Sequence, residues 1–337
     1  MKIKGSKILV TGGAGFIGSH IAESLVKLGA KVTIIDNLAF GSLENLKGIE
    51  SDIEFIKGDI LDKELLGKVI KGKDIISHQA AQLEIFLATS NPYWDLEVNT
   101  IGSLNIFEEA KKSGVVKVIN ASSACVYGQK SGLNKEDDSR HPNWAYGVSK
   151  LAAEEYAKIY NDYKVLPVIS LRYGIVYGER EWIRRALSLF LKRVILGDAP
   201  VVFGDGSQIR DFVYVGDVVR AHNKCIENDD VNGEVFNVGS GIGISIKDLA
   251  QKVTKLFLEG KGQVIFEDIP EGTESKIMQG KKRNAAELKS MLVDISRAKE
   301  KLNWQPEISL EDGLQREYNW AKENKHRWQN IIYTDRK

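Results

Sequence analysis

Tyr146 and Lys150 are the two side chains whose types and spacing most clearly indicate chemistry. They stand near the start of a segment with helical periodicity, and because four residues span about one helical turn, the phenol and the ammonium lie on the same face. A free phenol has a pKa of about 10 and is a weak base at neutral pH, but a nearby ammonium favours the phenolate. We therefore expect Tyr146 to exchange a proton with a substrate alcohol.

Two serines, Ser122 and Ser123, end a predicted strand, and Ser123 precedes Tyr146 by 23 residues. Parallel sheets bind ligands at the carboxyl ends of their strands, so a hydroxyl at this position can hydrogen-bond the reacting oxygen and hold it at Tyr146. The serine matters because a Tyr-x-x-x-Lys pair by itself is more often a surface pair. The sequence therefore predicts three catalytic residues, Ser123, Tyr146 and Lys150.

Three glycines at a spacing of three, Gly12, Gly15 and Gly18, follow a short predicted strand and open a predicted helix. The first permits a tight turn, the second lets the backbone approach a pyrophosphate, and the third lets the helix pack closely on the strand. The free N–H groups and the dipole of the helix N-terminus favour an anion there. The second predicted strand ends at Asp36, whose carboxylate would accept hydrogen bonds from the adenosine ribose and repel a 2′-phosphate. The pattern predicts NAD rather than NADP.

Short apolar runs alternate with helical periodicity through the first half of the chain. This βαβαβ order predicts a parallel sheet covered on both faces, which is a doubly wound α/β Rossmann fold. After Tyr173 the pattern changes, which predicts a smaller C-terminal α/β substrate domain with some strands returning to the main sheet. We expect the polar tail 322–337 to be solvated. The predicted division gives residues 1–174 and 211–240 to NAD binding, and residues 175–210 and 241–337 to substrate binding.

The composition argues against several other classes of protein. The chain has 337 residues, with 47 Lys and Arg against 46 Asp and Glu, a net charge of +1. This balance gives no reason to expect nucleic acid or an anionic membrane as a partner. No apolar run approaches the roughly 20 residues that span a bilayer. Two cysteines form neither a disulfide framework nor a metal-ligand spacing, and the start leads directly into a strand without a signal peptide, so we expect a cytoplasmic location.

Together these motifs resemble the extended short-chain dehydrogenases/reductases, specifically the NAD-dependent epimerase/dehydratase family and its UDP-sugar 4-epimerases. The glycine spacing, GxxGxxG, is the short-chain type, and the resemblance covers nearly the whole chain. The further motifs that carry it are Asp36-Asn37-Leu38, Gly58-Asp59-Ile60, His78-Gln79-Ala80-Ala81-Gln82, Glu97-Val98-Asn99-Thr100, SSACVYG at 122–128, Leu171-Arg172-Tyr173, FGDGSQIRDFVYV at 203–215 and LNWQP at 302–306.

The resemblance implies roles for single residues. Asp59 and Ile60 would flank the adenine, Asn99 would line the ribose and phosphates of NAD, and Arg210 would bind the substrate diphosphate, a task that suits a planar charged fork. The expected NAD contacts are Gly12, Gly15, Phe16, Ile17, Gly18, Asp36, Asn37, Asp59, Ile60, Gln79, Ala80, Ala81, Asn99, Tyr146, Lys150 and Tyr173. The expected substrate contacts are Ser123, Tyr146, Arg184, Arg185, Arg210 and Arg283.

The two residues after Ser123 bear on which reaction to expect. Dehydratases and decarboxylases of this family carry acidic residues there, whereas this chain has Ala124 and Cys125, in a pattern that resembles the 4-epimerases. We therefore expect an NAD-dependent 4-epimerase, which oxidises C4 of a UDP-sugar to a transient ketone and returns hydride to the opposite face. The alternatives are a dehydratase, decarboxylase or keto-sugar reductase of the same family and, in another class, a non-catalytic NAD-binding regulatory module.

The expected sugar pocket departs from the family pattern. Epimerases usually have an Asn that touches the substrate diphosphate where this chain has Ile175, and Gly-Pro-Arg where it has Gly-Glu-Arg at 178–180. The Arg of a late Arg-x-Gly-Asp/Glu motif aligns with Asn284, and Arg283 lies one residue before it. Arg184 and Arg185 either lie on a helix surface or pair with a sugar carboxylate. The substrate would accordingly be of the UDP-glucose/UDP-galactose type or a UDP-hexuronate.

Two predicted helices, 92–112 and 145–163, resemble those that form a four-helix dimer interface in this family. Their apolar positions could equally belong to the core. The resemblance therefore implies a homodimer, with Leu104, Phe107, Leu151 and Tyr156 as the positions to examine.

Overall fold

The computed structural model describes residues 1–181, 185–259, 262–278, 280–283 and 285–328. In chain order its strands and helices are β1 (Lys7–Thr11), α1 (Phe16–Lys27), β2 (Lys31–Asp36), β3 (Ile53–Lys57), α2 (Lys63–Ile70), β4 (Ile75–His78), α3 (Ile85–Ser90), α4 (Pro92–Leu96), α5 (Gly102–Lys112), β5 (Lys117–Ser123), α6 (Ala145–Asp162), β6 (Val168–Tyr173), β7 (Ile175–Tyr177), α7 (Ala186–Ile195), β8 (Val201–Phe203), β9 (Ile209–Tyr214), α8 (Val215–Glu227), β10 (Val235–Val238), β11 (Gly243–Ser245), α9 (Ile246–Phe257), β12 (Ile265–Glu267), β13 (Ser290–Met291), α10 (Ser296–Leu302) and α11 (Leu310–Glu323).

Seven strands form one parallel sheet in the order β3-β2-β1-β4-β5-β6-β10. Successive residues of β1 point to opposite faces of this sheet. Ile8 and Val10 pack into one apolar core with residues of α1 and α8, whereas Leu9, between them, packs into a second core with residues of α2 and α5. Both faces of the sheet are therefore covered, and the predicted doubly wound α/β fold is confirmed.

The first strand, β1, lies between β2 and β4, so the winding of the chain reverses direction there. At such a point the loops that follow the two neighbouring strands diverge and leave a crevice at the carboxyl edge of the sheet. The glycine loop follows β1, Gln79 follows β4, and Ser123 and Tyr173 end β5 and β6. The residues that the sequence singled out for chemistry thus come to the same edge.

A second, smaller sheet follows the sixth main strand. In it β9 pairs with β7, β11 and β13, while β8 pairs separately with β12. β10 returns to the main sheet beside β6, as expected of some C-terminal strands. Residues 211–214, which the predicted division gave to the NAD-binding part, end β9 in the second sheet. The division of the chain into two binding domains stays a prediction.

The predicted helix 92–112 contains a change of helix type. It begins as expected, because Pro92 occupies its first turn and the Asn91 side chain accepts a hydrogen bond from the Trp94 N–H at 3.2 Å. Between α4 and α5, Glu97–Ile101 form a π-helical turn. Such single turns are frequent at functional sites, and this one carries Asn99.

The expectation of a solvated tail at 322–337 is wrong for Trp328. Its side chain is fully buried, its Nε1 donates to the carbonyl of Ala321 at 2.8 Å, and the ammonium of Lys192 lies over its ring. A large aromatic side chain whose N–H has a partner buries apolar surface without leaving a polar group unpaired. The residues 329–337 lie outside the described part of the chain.

Two findings bear on partners and metals. Within the described ranges, no helix has both the length and the apolar character to cross a membrane. The same ranges contain no group of three or more His, Cys, Asp or Glu side chains arranged to hold a metal ion. Cys125 and Cys225 are both buried as free thiols.

Candidate active site

The three predicted catalytic residues meet at the carboxyl end of β5. Ser123 ends that strand, Tyr146 and Lys150 lie in the first turns of α6, and the Tyr146 phenol is within hydrogen-bonding reach of the Ser123 hydroxyl. The Ser123 Oγ also accepts the N–H of Cys125 at 3.2 Å, which fixes its rotamer at the strand end. A sugar hydroxyl at this point can contact both the serine and the tyrosine.

Burial dominates the electrostatics of the catalytic pair. It raises the pKa of the Tyr146 phenol above its ordinary value, and the nearby Arg185 and the hydrogen bond with Ser123 act in the opposite direction. Lys150 is 3% exposed, and burial lowers its pKa to about 8 although Asp95 and Glu154 attract its charge. Tyr146 and Lys150 are both buried. In such a place, a positive charge close to the Tyr146 phenol strongly favours the phenolate.

A buried polar network supports Lys150 from the helix that precedes it in the sequence. The Asp95 Oδ1 accepts hydrogen bonds from Asn99 Nδ2 at 3.0 Å and from Gln82 Nε2 at 3.3 Å. Asn99 Nδ2 also contacts the Ser149 Oγ at 3.1 Å, and Asn99 Oδ1 accepts the Gln82 N–H at 2.9 Å. These contacts tie the π-helical turn to α6 and hold the Asp95 carboxyl near Lys150. Burial raises the pKa of that carboxyl, and its hydrogen bonds and the charge of Lys150 oppose the shift.

The same network surrounds Asn99, for which the resemblance implied a place beside the NAD ribose and phosphates. Its side chain is 1% exposed, and its amide nitrogen and oxygen are both occupied by protein partners. The amide oxygen accepts one of the two hydrogen bonds that it can take, so its contact with NAD stays a prediction. Within the protein, Asn99 holds the segment of Gln82 and the start of α6 in place.

The glycine loop has the close approaches that its spacing predicts. Gly12 has φ +65°, and a Cβ there would lie 2.7 Å from the Ala80 nitrogen. A Cβ on Gly18 would lie 2.1 Å from the Gly12 carbonyl oxygen. The N-cap of α1 is Gly15, which has no side chain to accept the first N–H groups of the helix. These N–H groups therefore stay available to an anion such as a diphosphate.

Asp36 stands where a ribose would be recognised. It is 7% exposed, its Oδ2 accepts the Ala14 N–H at 3.0 Å and its Oδ1 accepts the Leu38 N–H at 2.8 Å. Burial raises the pKa of this carboxyl, and the two backbone hydrogen bonds oppose that shift. Because a carboxylate has about four acceptor sites, Asp36 can still accept hydrogen bonds from two ribose hydroxyls.

One cavity joins the glycine loop, Asp36 and the catalytic pair. The residues present fit NAD, since a helix N-terminus, an acceptor for the ribose and the catalytic tyrosine follow one another along it. Of the expected NAD contacts it is lined by Gly12, Gly15, Phe16, Ile17, Gly18, Asp36, Asn37, Asp59, Ile60, Gln79, Ala80, Ala81, Tyr146, Lys150 and Tyr173. The sequence interpretation missed Phe40 and Trp94, an aromatic pair in the cavity wall with ring centroids 6.3 Å apart.

His78 links this cavity to the buried network by a directional chain of hydrogen bonds. The Ala80 N–H donates to Thr11 Oγ1, which lies 2.8 Å from His78 Nδ1, and His78 Nε2 lies 3.0 Å from Ser103 Oγ. Ser103 donates its own proton to the Asn99 carbonyl at 2.6 Å, so it must accept from His78. Burial, helped by the charge of Lys150, lowers the pKa of His78 to about 3, and the neutral ring carries its proton on Nε2.

A second cavity adjoins the first at the catalytic tyrosine. Ile17, Leu83, Tyr146, Tyr173 and Arg185 line both cavities. The second extends toward β9 and the segment before β13, where Arg210 and Arg283 converge on one carboxylate, Glu287. The Arg210 guanidinium lies 3.6 Å from Glu287 Oε1 and Arg283 Nε lies 3.5 Å from Glu287 Oε2. Two always-charged forks at one place suit a diphosphate.

The residues that the sequence predicted for the substrate site and beside Ser123 have different outcomes in the structure. Arg185 lies in its wall beside Tyr146, and Arg283 lines it as well. Arg184 and Asn284 lie outside the described residues. Ala124 and Cys125 follow Ser123 in a short 3-10 turn, and burial raises the pKa of the Cys125 thiol, which leaves the protonated form at neutral pH. No acid stands directly after Ser123 to act on a neighbouring carbon.

Sequence reasoning missed two acids in this cavity. Glu181 and Glu287 both line it, and Glu181 also lines the first cavity. Glu287 occupies the acidic position of the late Arg-x-Gly-Asp/Glu pattern, and Ala286, with φ +50°, stands at its glycine position. The acid at the last position of that pattern is the sequence signal that could have identified Glu287. Glu181 has no such signal, because its importance depends on what packs around it.

Comparison with known proteins agrees with this geometry. Residues 8–239 match the model of the NAD dependent epimerase/dehydratase family. A putative UDP-glucose 4-epimerase of Methanocaldococcus jannaschii is 37% identical over 323 residues, which cover 94% of this chain and 99% of the relative. A UDP-N-acetyl-alpha-D-glucosaminuronate decarboxylase of Bacillus cytotoxicus is 34% identical and is covered to 98%, against 94% of this chain.

A solved structure is similar over the same extent. The crystal structure of UDP-glucose 4-epimerase from Thermotoga maritima with UDP-glucose superposes with a TM-score of 0.86 at 32% identity, covering 95% of this chain and 99% of that one. Relatives of comparable identity thus include an epimerase and a decarboxylase. Overall similarity alone does not separate these two reactions, and the residues of the site must do so.

Proposed function

Because this chain belongs to the NAD-dependent epimerase/dehydratase family, we propose that it is an NAD-dependent 4-epimerase of a UDP-sugar. The observation that carries the proposal is the pairing of a complete Ser123, Tyr146 and Lys150 arrangement with the non-acidic Ala124 and Cys125. An alcohol can be oxidised at such a site, but the ketone formed has no acid directly beside Ser123 to eliminate a neighbouring substituent.

The chemistry follows from the low acidity of a sugar C4–H, which makes direct deprotonation impractical. When bound, NAD supplies reversible hydride exchange at that carbon. The Ser123 hydroxyl hydrogen-bonds the reacting oxygen, and the Tyr146 phenol, with Lys150 one turn away, takes the proton of the C4 hydroxyl and later returns it. Once C4 is planar, the sugar can turn about its diphosphate linkage and present its opposite face.

The positively charged end of the second cavity supports this turn. Arg210 and Arg283 would hold the diphosphate by charge-assisted hydrogen bonds in place of their present contacts with Glu287. A substrate held at its diphosphate keeps its sugar near Tyr146 while the ring changes its face. In this proposal residues 1–174 and 211–240 bind NAD, and residues 175–210 and 241–337 bind the nucleotide sugar.

Two substrate classes are weighed within this proposal. A UDP-hexuronate would need a cation for its carboxylate, and Arg185 is the described candidate, since it lines the wall beside Tyr146. The carboxyl of Glu181 attracts the same guanidinium. Because that acid offsets the charge of Arg185, the electrostatics of the described residues favour a neutral hexose of the UDP-glucose/UDP-galactose type.

The reaction can be tested with sugar nucleotides alone. Purified protein, with no added NAD, is incubated with UDP-glucose, UDP-galactose or UDP-glucuronate, and products are identified by NMR. We expect conversion to the C4 epimer with no net oxidation, because the hydride removed is returned. A 4-keto-6-deoxy sugar would indicate a dehydratase, a UDP-pentose a decarboxylase, and dependence on added NAD(P)H a reductase. Absence of any product with these substrates would favour a non-catalytic module.

We also propose that the protein is a homodimer built on α4, α5 and α6. Phe107 is buried in the core, but Leu96 and Ile101 from one helical segment and Ile159 from α6 are each more than 40% exposed. Tyr156 is 40% exposed, whereas Leu104 and Leu151 are partly buried. Apolar side chains gathered on two adjacent helices indicate a surface that a second copy can cover.

The dimer can be measured by light scattering at several protein concentrations. The wild type is expected to have twice the mass of the chain, and Ile159→Lys is expected to give monomers, because burying an unpaired ammonium is unfavourable. Val165→Lys, beyond the end of α6 and 50% exposed, is the matched control and should remain dimeric. A monomeric wild type would contradict the proposal.

We also propose that the enzyme is cytoplasmic, since buried free thiols such as Cys125 and Cys225 stay reduced there.

A further inference from the structure

Glu181 is a buried acid whose hydrogen-bonding neighbour is another acid. It is 4% exposed, and no N–H or hydroxyl group in the described part of the chain donates to Oε1 or Oε2, which leaves the carboxyl of Glu317 as the neighbour that can share a proton with it. Yet it lines both cavities, together with Tyr146, Tyr173 and Arg185. Since buried polar groups in proteins nearly always have partners, the Glu181 oxygen that does not share a proton with Glu317 points to a ligand that supplies a donor.

A second buried acid stands behind it. Glu317 lies on α11, is 2% exposed, and its Oε2 also has no donor among the described residues. Glu181 and Glu317 are in hydrogen-bonding contact, and two carboxyls so placed cannot both ionise. The pair can therefore carry at most one negative charge at neutral pH, with one proton shared between the two carboxyls. Burial raises the pKa of Glu181 to about 7, and burial together with Glu181 raises that of Glu317 well above its ordinary value.

Two charged groups determine where the negative charge of the pair lies. Arg185 attracts it toward Glu181, which faces the cavities. Glu179, held by the Tyr214 hydroxyl, repels it from Glu317. Both influences favour the ionised form of the acid that faces the catalytic tyrosine. A hydroxyl group on a ligand could then donate to that carboxylate, whereas a ligand carboxylate would be repelled.

We propose that Glu181 is a specificity-determining residue, whose carboxylate accepts a hydrogen bond from a hydroxyl of the sugar and so selects a neutral hexose over a hexuronate. This inference rests on the proposed UDP-sugar 4-epimerase function and assigns its substrate class. Glu317 acts as a positioning residue, because the shared proton fixes the Glu181 carboxyl in the wall. Arg185 then serves to hold the charge on Glu181 rather than to bind a sugar acid.

The test compares two substrates on matched variants. The ratio of kcat/KM for UDP-glucose to that for UDP-glucuronate is measured for the wild type, Glu181→Gln and the double variant Glu181→Gln/Glu317→Gln. Binding of both nucleotide sugars is measured in parallel by titration calorimetry of the purified holoenzyme. We expect the wild type to favour UDP-glucose, and Glu181→Gln to lower the ratio at least tenfold, in both kinetics and binding, with a further decrease in the double variant.

Glu311→Gln is the matched control. It makes the same Glu-to-Gln change on α11, the helix that carries Glu317, but at an exposed residue paired with Lys252. It should leave the ratio unchanged. A ratio within twofold of the wild type in Glu181→Gln, or a wild type that prefers UDP-glucuronate, would overturn the inference and leave the epimerase proposal intact. If neither sugar nucleotide is epimerised or bound, both fail. Glu317→Gln alone retains Glu181 and should keep the preference for UDP-glucose. A purely structural role of the pair would not require this result.

Discussion

Tyr146→Phe is expected to lower kcat by about 10³-fold, because general acid–base catalysis by a positioned side chain contributes about 10²–10⁴-fold. The phenol is the group beside Ser123 that can take the proton of the C4 hydroxyl, and phenylalanine keeps the ring while removing the acid. The KM for the UDP-sugar should change far less, since the proposed diphosphate contacts at Arg210 and Arg283 are untouched. Steady-state kinetics of C4 epimerisation measure both quantities.

A second tyrosine of the same helix region provides the control for this prediction. Tyr163, the C-cap residue of α6, is 76% exposed, and Tyr163→Phe should retain wild-type kcat. The folded state of Tyr146→Phe can be verified by its melting temperature. A loss in kcat below tenfold would mean that another group moves the proton, and the assignment of Tyr146 would then be wrong.

The catalytic centre could be predicted from the sequence because its parts are local or follow from one rule of topology. The glycine spacing brings Gly15 and Gly18 close to the Gly12 carbonyl oxygen within the loop itself. Tyr146 and Lys150 need only one helix. Their meeting with Ser123 required the further rule that parallel strands bring their carboxyl ends to the same edge. That rule also places Asp36 and Tyr173 in the same cavity.

The features that escaped prediction depend on segments far apart in the chain. The contact between Glu181 and Glu317 joins the loop after β7 to α11, and no periodicity or motif signals it. The burial of Trp328 likewise depends on α7, whose Lys192 reaches its ring. Asn99 is a further case. The sequence did not indicate the hydrogen bonds of its side chain with Gln82 and Ser149, because they depend on the π-helical turn.

Charge is distributed along the two cavities in a way that separates their tasks. Uncapped N–H groups and Asp36 line one end, where a dinucleotide would bind. Arg210 and Arg283 line the far end of the second cavity. Between them, the catalytic pair and Glu181 share a buried region with little solvent. In such a region single charges act strongly on one another, so the identity of one acid can determine which sugar is accepted.

The helix that carries the catalytic pair is itself held by a buried ion pair. Glu154 and Arg172 are 2% and 1% exposed, and Arg172 Nε donates to both carboxylate oxygens, at 3.2 Å and 3.0 Å. The Arg172 guanidinium also donates to the Tyr127 hydroxyl at 2.7 Å, and Glu154 accepts the Ser122 hydroxyl at 2.8 Å. These bonds fix α6 against β5 and β6, one turn beyond Lys150.

Glu154→Ala is therefore expected to lower the free energy of unfolding by about 3–5 kcal/mol, the usual effect of leaving a buried charge without its partner. Denaturant unfolding measures this value. The neighbouring Glu155 is 44% exposed and pairs with Arg140, so Glu155→Ala should cost no more than about 1 kcal/mol. Arg172→Leu/Glu154→Leu removes both charges and should recover part of the loss. Equal losses for Glu154→Ala and Glu155→Ala would mean that Arg172 is stabilised by its other partners, and that the position of Lys150 does not depend on this ion pair.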